Sequence, residues 1–170
     1  KTPVSVKFAR KIFKETKVVS DLEDLTDLNL DAIYVTTPIP FHYQIIEFIC
    51  YKKIAHNLFK EKTLASNYDE ALKLCQLVQN LDGVNMVGYM SRFAVTFKKA
   101  KELLDQGAIG NVLFFSAYAY SSDFIGIKKK SSQRGGALRD LGAHIVDLAL
   151  WFFGDLEVEE AELFPSIQDE

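Results

Sequence analysis

Cysteine is scarce in these 170 residues: Cys50 and Cys75 stand 25 positions apart, with no C-x-x-C pair. A disulfide framework does not fit that usage; two free thiols in a reducing cytosol do. No glycine occurs before Gly83, so no G-x-G-x-x-G phosphate loop lies in the first half of the chain. Neither sign of charge dominates, with 20 Lys and Arg against 23 Asp and Glu and a net charge of −3. That balance gives no basic footprint for nucleic acid and none for a membrane surface. The run Lys128, Lys129 and Lys130 is short and lies among Ser and Gly. It reads as a solvated loop, with a phosphate contact as the lesser alternative. Also missing are a signal-peptide pattern, internal repeats, low-complexity segments and any apolar run near the ~20 residues of a membrane span. What remains is ordinary globular composition, 48% hydrophobic and 25% charged, long enough for one domain or two small ones.

The pattern along the chain alternates. "VSVKFARKIFKET" carries Val4, Phe8, Ile12 and Phe13 at helical spacing. "KVVS" predicts a short strand, and "DLEDLTDL" a short helix capped by Asp21. "DAIYVTTP", 31–38, predicts a strand apolar enough for the centre of a parallel sheet, buried on both faces. Helix "FHYQIIEFICYKK", strand "AHNLF", helix "SNYDEALKLCQLVQNL" and strand "NMVGYM" follow. Strands alternating with helices predict βαβ units and a doubly wound, Rossmann-type parallel sheet. After Met90 the pattern changes to helix "AVTFKKAKELLDQG", aromatic strand "NVLFFSAYAYSS" and alternating "LEVEEAELF". These predict a second, α+β unit. The expected division is residues 1–91 and 92–170, and the opening "KTPVSVKFARK" reads as the interior of a domain.

One helix is unusual. "RGGALRDLGAHIVDLALWFFG", 134–154, holds no Lys, Arg, Glu, Ser or Thr from Leu141 to Gly154. At roughly 100° per residue, Asp140, His144, Asp147 and Trp151 share one arc of about 60°. A helix apolar nearly all round is expected to be buried, and buried ionisable groups must pair, titrate or face a cavity. Two readings of the stripe fit. His144 is bonded to Asp140 and Asp147 in a satisfied core network, or the stripe faces a ligand. Ligands of open α/β sheets bind outside the carboxyl ends of the strands. Two such ends carry polar residues, Thr36, Thr37 and His42 in "TTPIPFH", and Glu61 and Lys62 in "FKEKTLAS".

Four motifs in order, "TPIPFH", "EKT", "GYMSRF" and "GGALRDLGAHIVDLALWFFG", resemble those of the glucose–fructose oxidoreductase / inositol dehydrogenase family, the Gfo/Idh/MocA type. The last is the most specific, matching eight fixed positions of GGxLxDxGxHxxDxxxxxxG. The resemblance covers nearly the whole chain. It implies an NAD- or NADP-dependent oxidoreductase acting on a sugar, polyol or related alcohol. It also implies a catalytic group of Lys62, Asp140 and His144, and contacts to the cofactor from Thr37, Pro38, His42, Glu61, Lys62 and Arg92. A neutral imidazole, with its ordinary pKa of about 6.5, suits removal of a hydroxyl proton near neutral pH. Asp147 is expected to support His144 from behind.

Two departures from the family pattern stand out. Thr63 replaces the proline of Glu-Lys-Pro. The Gly-rich loop is absent, and the pattern starts about 35 residues further on than in the family, on the scale of one βαβ unit. The expected partners are a small sugar or polyol and, in a complete protein, further copies of the chain, with no nucleic acid and no membrane. The expected location is the cytoplasm. The alternative is a non-catalytic relative that binds dinucleotide or ligand and regulates. A metal site on Asp140, His144 and Asp147 ranks last, for want of further ligands, and no metal is expected.

Overall fold

The computed structural model describes residues 3–14, 16–120 and 137–162, with side chains described from residue 7 onward. The expected alternation is present. The elements are α1 (Pro3–Ile12), β1 (Leu30–Val35), α2 (His42–Lys52), β2 (Ala55–Glu61), α3 (Tyr68–Val78), β3 (Asn85–Gly88), α4 (Val95–Asp105) and α5 (Ala143–Phe153). The strands form one parallel sheet in the order β1-β2-β3. In its register Val35 pairs with Lys60, and Lys60 with Val87. Helices α2 and α3 are the two crossovers. The sheet and its crossovers are those of a Rossmann-like fold.

Local chemistry sets the boundaries. Asn67 caps α3, its side chain accepting from the Glu70 N–H at 2.9 Å, and the Glu70 carboxylate accepts from the Ser66 N–H at 3.1 Å. Asp69 and Glu70 in the first turn suit the positive end of the helix. Helix α2 ends on Lys53 in the left-handed region, φ 50°, with Ile54 N–H bonded back to Ile49. The core lies between one sheet face and these two helices. Val35, Leu58, Ile46, Ile49 and Leu74 are buried there, each contributing about 1.5–3 kcal/mol relative to exposure.

Gly83 precedes β3 where the chain passes the middle of β2. Val84 accepts from Leu58 N–H at 2.9 Å, and Asn57 accepts from Val84 N–H at 2.9 Å. A Cβ at position 83 would sit 2.0 Å from the His56 carbonyl oxygen. Gly83→Ala is therefore expected to cost about 1–3 kcal/mol, because backbone must move to admit it. Urea unfolding of the variant checks this; an unchanged midpoint would mean that the β2–β3 approach is looser than described.

The structure corrects several expectations. The segment 31–38 does not hold the centre of the described sheet. β2 does, paired on both sides, while β1 lies at an edge with Tyr34 70% exposed. "KVVS" is not a strand, because none of the described strands lies beside it to supply a ladder. The described part of "NVLFFSAYAYSS", 111–120, is in no strand either, and Leu113 is 95% exposed. Nor is "LEVEEAELF" over its described residues 156–162. Aromatic and alternating sequence reports suitability for a sheet, and without a paired neighbour it makes none. The short helix at 21–28 is a single 3-10 turn, Glu23–Leu25, with Asp21 accepting from the Glu23 N–H at 3.1 Å. The helix expected within 134–154 is, over its described residues, only partly buried, since Val146 and Leu150 are open. Lys128, Lys129 and Lys130 lie outside the described residues. Among those described, no helix is long and apolar enough to cross a membrane.

Candidate functional site

The carboxyl ends of β1, β2 and β3 lie side by side, and each opens into a loop. After β1 come Thr36, Thr37 and Pro38; after β2, Lys62 and Thr63; after β3, Tyr89 and a 3-10 turn, Met90–Phe93. The Lys62–Thr63 peptide is cis. Over these ends lies a π-helical turn, Leu138–Gly142, that leads into α5. Ala143 N–H bonds back to the Leu138 carbonyl, five residues earlier. Such a turn widens the helix by one residue and re-aims the side chains on it.

Asp140 sits on that turn. Its backbone carbonyl accepts from Lys62 Nζ at 2.7 Å, and its carboxylate is ion-paired with the same ammonium. Neither side chain is more than one-fifth exposed, so water screens the pair weakly. Residues 78 apart in sequence therefore close the space above the sheet. His144 stands one turn further on. Its Nδ1 is buried without a hydrogen-bond partner, and the Tyr89 ring meets the imidazole edge-on, centroids 6.4 Å apart. Burial first, and the Lys62 charge second, hold the His144 pKa below its ordinary value, against the opposing pull of Asp140 and Asp147. The ring is thus neutral near pH 7.

The structure brings together Lys62, Asp140 and His144, and of the two readings of the stripe it lacks the satisfied network. His144 bonds neither carboxylate. Asp147 serves Arg92 instead, accepting from Nε at 2.8 Å and from Nη2 at 2.6 Å. This planar, two-point pair ties the turn after β3 to α5. Asp147→Asn is expected to cost about 1–3 kcal/mol, the range for charged hydrogen bonds at a partly exposed cation. Thermal unfolding checks this, and a loss under 0.5 kcal/mol, the range of ordinary surface changes, would show that the pair is only a contact. Since Lys62 and Arg92 occupy the carboxylates, D-x-x-x-H-x-x-D is committed to cations of the chain itself. Among the described residues no group of three or more His, Cys, Asp or Glu converges.

The other expected residues are placed differently from one another. Glu61 and Pro38 are exposed. Thr37 lies at the loop after β1, its hydroxyl buried with no partner, as is that of Thr63 on the neighbouring loop. His42 opens α2 and is completely buried. Its Nε2 lies 2.6 Å from the Thr37 carbonyl oxygen and its Nδ1 3.0 Å from that of Thr63. It therefore clasps the two loops. Sequence reading missed Lys60, which is 1% exposed and donates from Nζ to the same Thr63 carbonyl. Burial pushes its pKa down to about 7. The signal was available: with period two along β2, Lys60 points to the same face as buried Leu58.

The family model for an oxidoreductase family with an NAD-binding Rossmann fold matches residues 4–89, and the model for the GFO/IDH/MocA C-terminal domain matches residues 97–166. The chain belongs to the Gfo/Idh/MocA oxidoreductase family. Among Gfo/Idh/MocA proteins it is 27% identical over 154 residues to scyllo-inositol 2-dehydrogenase (NAD(+)) of Bacillus subtilis, covering 86% of this chain and 42% of the relative. It is 29% identical over 143 residues to myo-inositol 2-dehydrogenase of Thermotoga maritima, covering 81% and 40%. A crystal structure of scyllo-inositol dehydrogenase from Lactobacillus casei, with bound NAD(H) and scyllo-inositol, superposes with a TM-score of 0.78 at 27% identity, covering 90% of this chain and 46% of that one. The chain thus spans about two-fifths of the length of these curated relatives.

Proposed function

We propose that the chain carries the reaction centre of an NAD- or NADP-dependent oxidoreductase that oxidises a secondary alcohol of a cyclic polyol or sugar. The observation that carries this reading is the Lys62–Asp140 pair, set beside a neutral and partly buried His144 at the carboxyl edge of a parallel sheet. In this reading His144 takes the hydroxyl proton. The Lys62 ammonium donates to the substrate oxygen and stabilises the negative charge that grows there as the proton leaves. Asp140 accepts from a neighbouring hydroxyl and holds Lys62 in place. The unpartnered buried hydroxyls of Thr37 and Thr63 leave acceptor and donor capacity at the same edge. They suit the polar groups of a dinucleotide, with Thr37, Pro38, Glu61 and Lys62 around it. When bound, the nicotinamide supplies the hydride acceptor. His42 and Arg92 act on this edge through Thr63 and Asp147. The inositol dehydrogenases among the relatives support a polyol substrate.

The matched ranges 4–89 and 97–166 support a division near residue 91, with a dinucleotide-binding unit before it and an α+β unit after it. The free thiols support a reducing cytoplasm. The exposed apolar run Leu113, Phe114, Tyr118 and Tyr120 supports a homo-oligomer of the complete protein.

The deciding experiment assays a complete protein containing this chain with NAD and with NADP against myo-inositol, scyllo-inositol and a panel of hexoses, following formation of the reduced nicotinamide. Turnover of a ring polyol or hexose is expected. No turnover with either cofactor across the panel would sink the reading. The 170 residues alone are expected to bind NAD weakly in calorimetric titration, because they contain no G-x-G-x-x-G anion site.

A further inference from the structure

We infer that His42 and Lys60 are positioning residues that share one proton over the Thr63 carbonyl and so fix the loop from which Lys62 reaches Asp140. The geometry poses a problem of hydrogen count. Both ring nitrogens of His42 face carbonyl oxygens, those of Thr37 and Thr63, and a carbonyl can only accept. A neutral imidazole has one N–H, so one ring lone pair would face an oxygen lone pair; only the imidazolium donates to both. Lys60 donates to the same Thr63 oxygen. The two side chains are the largest polar groups completely enclosed in the described residues.

Two full positive charges on one buried carbonyl repel each other where water cannot screen them. With no proton to spare, the ring is left with an unmatched carbonyl. A single shared positive charge resolves both difficulties. With the proton on His42, the ring bonds both carbonyls while the neutral Lys60 amine still donates to Thr63. Burial disfavours a charge on either group, and the Lys60 charge lowers His42 further, so two full charges together are disfavoured. The charged and titratable neighbours are few. Glu61 on β2 favours a positive charge on either group. Lys62 follows in the loop, and from α3 Cys75 borders the largely apolar cavity of about 170 Å³ beside Lys60, whose other walls include Leu58, Leu64 and Leu74. Such walls leave a neutral amine undisturbed and penalise a charged one. The pair then titrates as a unit. Below that step the Thr63 carbonyl has a charged donor; above it the donor is neutral, the clasp between the two loops weakens, and Lys62 is less firmly aimed.

The importance of this clasp for turnover rests on the dehydrogenase reading; the proton sharing does not. The test is NMR titration of the His42 ring in the 170-residue chain, with His56 and His144 assigned by substitution. In Lys60→Met, His42 is expected to titrate at least about one unit higher than in the parent, because the competing charge is gone. In Lys60→Arg, whose guanidinium keeps its proton, His42 should stay neutral to lower pH than in the parent. Equal His42 titration in the parent and either folded variant would overturn the sharing. In a complete protein, the alkaline fall of kcat/KM set by the pair should move up by about one unit or more in Lys60→Arg. A shifted His42 with an unmoved pH profile would overturn the positioning role. A shifted His42 in a protein that turns over no alcohol would sink the dehydrogenase reading alone.

Discussion

Replacing His144 by Asn in a complete protein is expected to lower kcat/KM by roughly 10²–10⁴, the usual size of a lost acid–base group, while leaving the fold in place. Both halves of that statement come from the environment of the ring. His144 Nδ1 makes no hydrogen bond, and neither carboxylate on its helix bonds it, so truncation removes no structural contact of that kind. Asn also leaves no charge behind. The catalytic half rests on protonation state. Burial and Lys62 hold the imidazole below its ordinary pKa, so it is free to accept a proton at neutral pH. The acidic limb of the kcat/KM profile should accordingly lie below about 6.5 in the parent and flatten in the variant. Thermal melts alongside steady-state kinetics decide the matter. If the variant unfolds while its folded fraction keeps full activity, His144 is a core residue and the acid–base role is gone.

The alternation of β-branched runs with amphipathic segments made the crossovers and the parallel sheet legible, because burial between helices imposes that pattern locally. Lys62, Asp140 and His144 were legible as candidates because each breaks a local rule: polar groups in an apolar helix, and a lysine at a strand end. Their convergence was implied by the family resemblance and by no local pattern. It depends on the π-helical turn at Leu138–Gly142, which no periodicity of 3.6 could announce. The partner of Asp147 was misread for a related reason. Proximity along one helix suggested His144, while Arg92, 55 residues earlier, offers two donors in a plane that matches a carboxylate. Lys60 was overlooked because the strand reading stopped at Phe59, one residue before the inward position it shares with Leu58. The aromatic run at 112–120 shows the opposite failure. Its composition suits a sheet, yet strand formation is decided by a neighbour, and none of the described strands lies beside it.

Lys60 also makes stability depend on pH in a direction opposite to that of an ion-paired lysine. In the unfolded chain its amine keeps its ordinary pKa of about 10.4; in the folded chain burial lowers it to about 7. Between these values the unfolded state binds the extra proton, so the free energy of unfolding rises with pH. The slope approaches about 1.4 kcal/mol per pH unit. From pH 7 to 9 this sums to about 2–3 kcal/mol, or roughly 5–10 °C in Tm for a chain of this size. Below pH 6.5 His42 and His144, both held low by burial, add to the slope in the same sense: their contribution is present above their ordinary pKa and is lost as pH falls through it. Above pH 9 the buried Cys50 thiol and the Tyr89 hydroxyl, both raised by burial, act the other way. The window from 7 to 9 therefore isolates the proton that Lys60 shares with His42. Lys60→Met, an unbranched side chain of similar length with nothing to discharge, should flatten the rise there. A parent protein whose Tm is level or falls across that window would mean that Lys60 keeps its proton in the folded state, and that its ammonium finds water or a carboxylate in place of the apolar wall beside it.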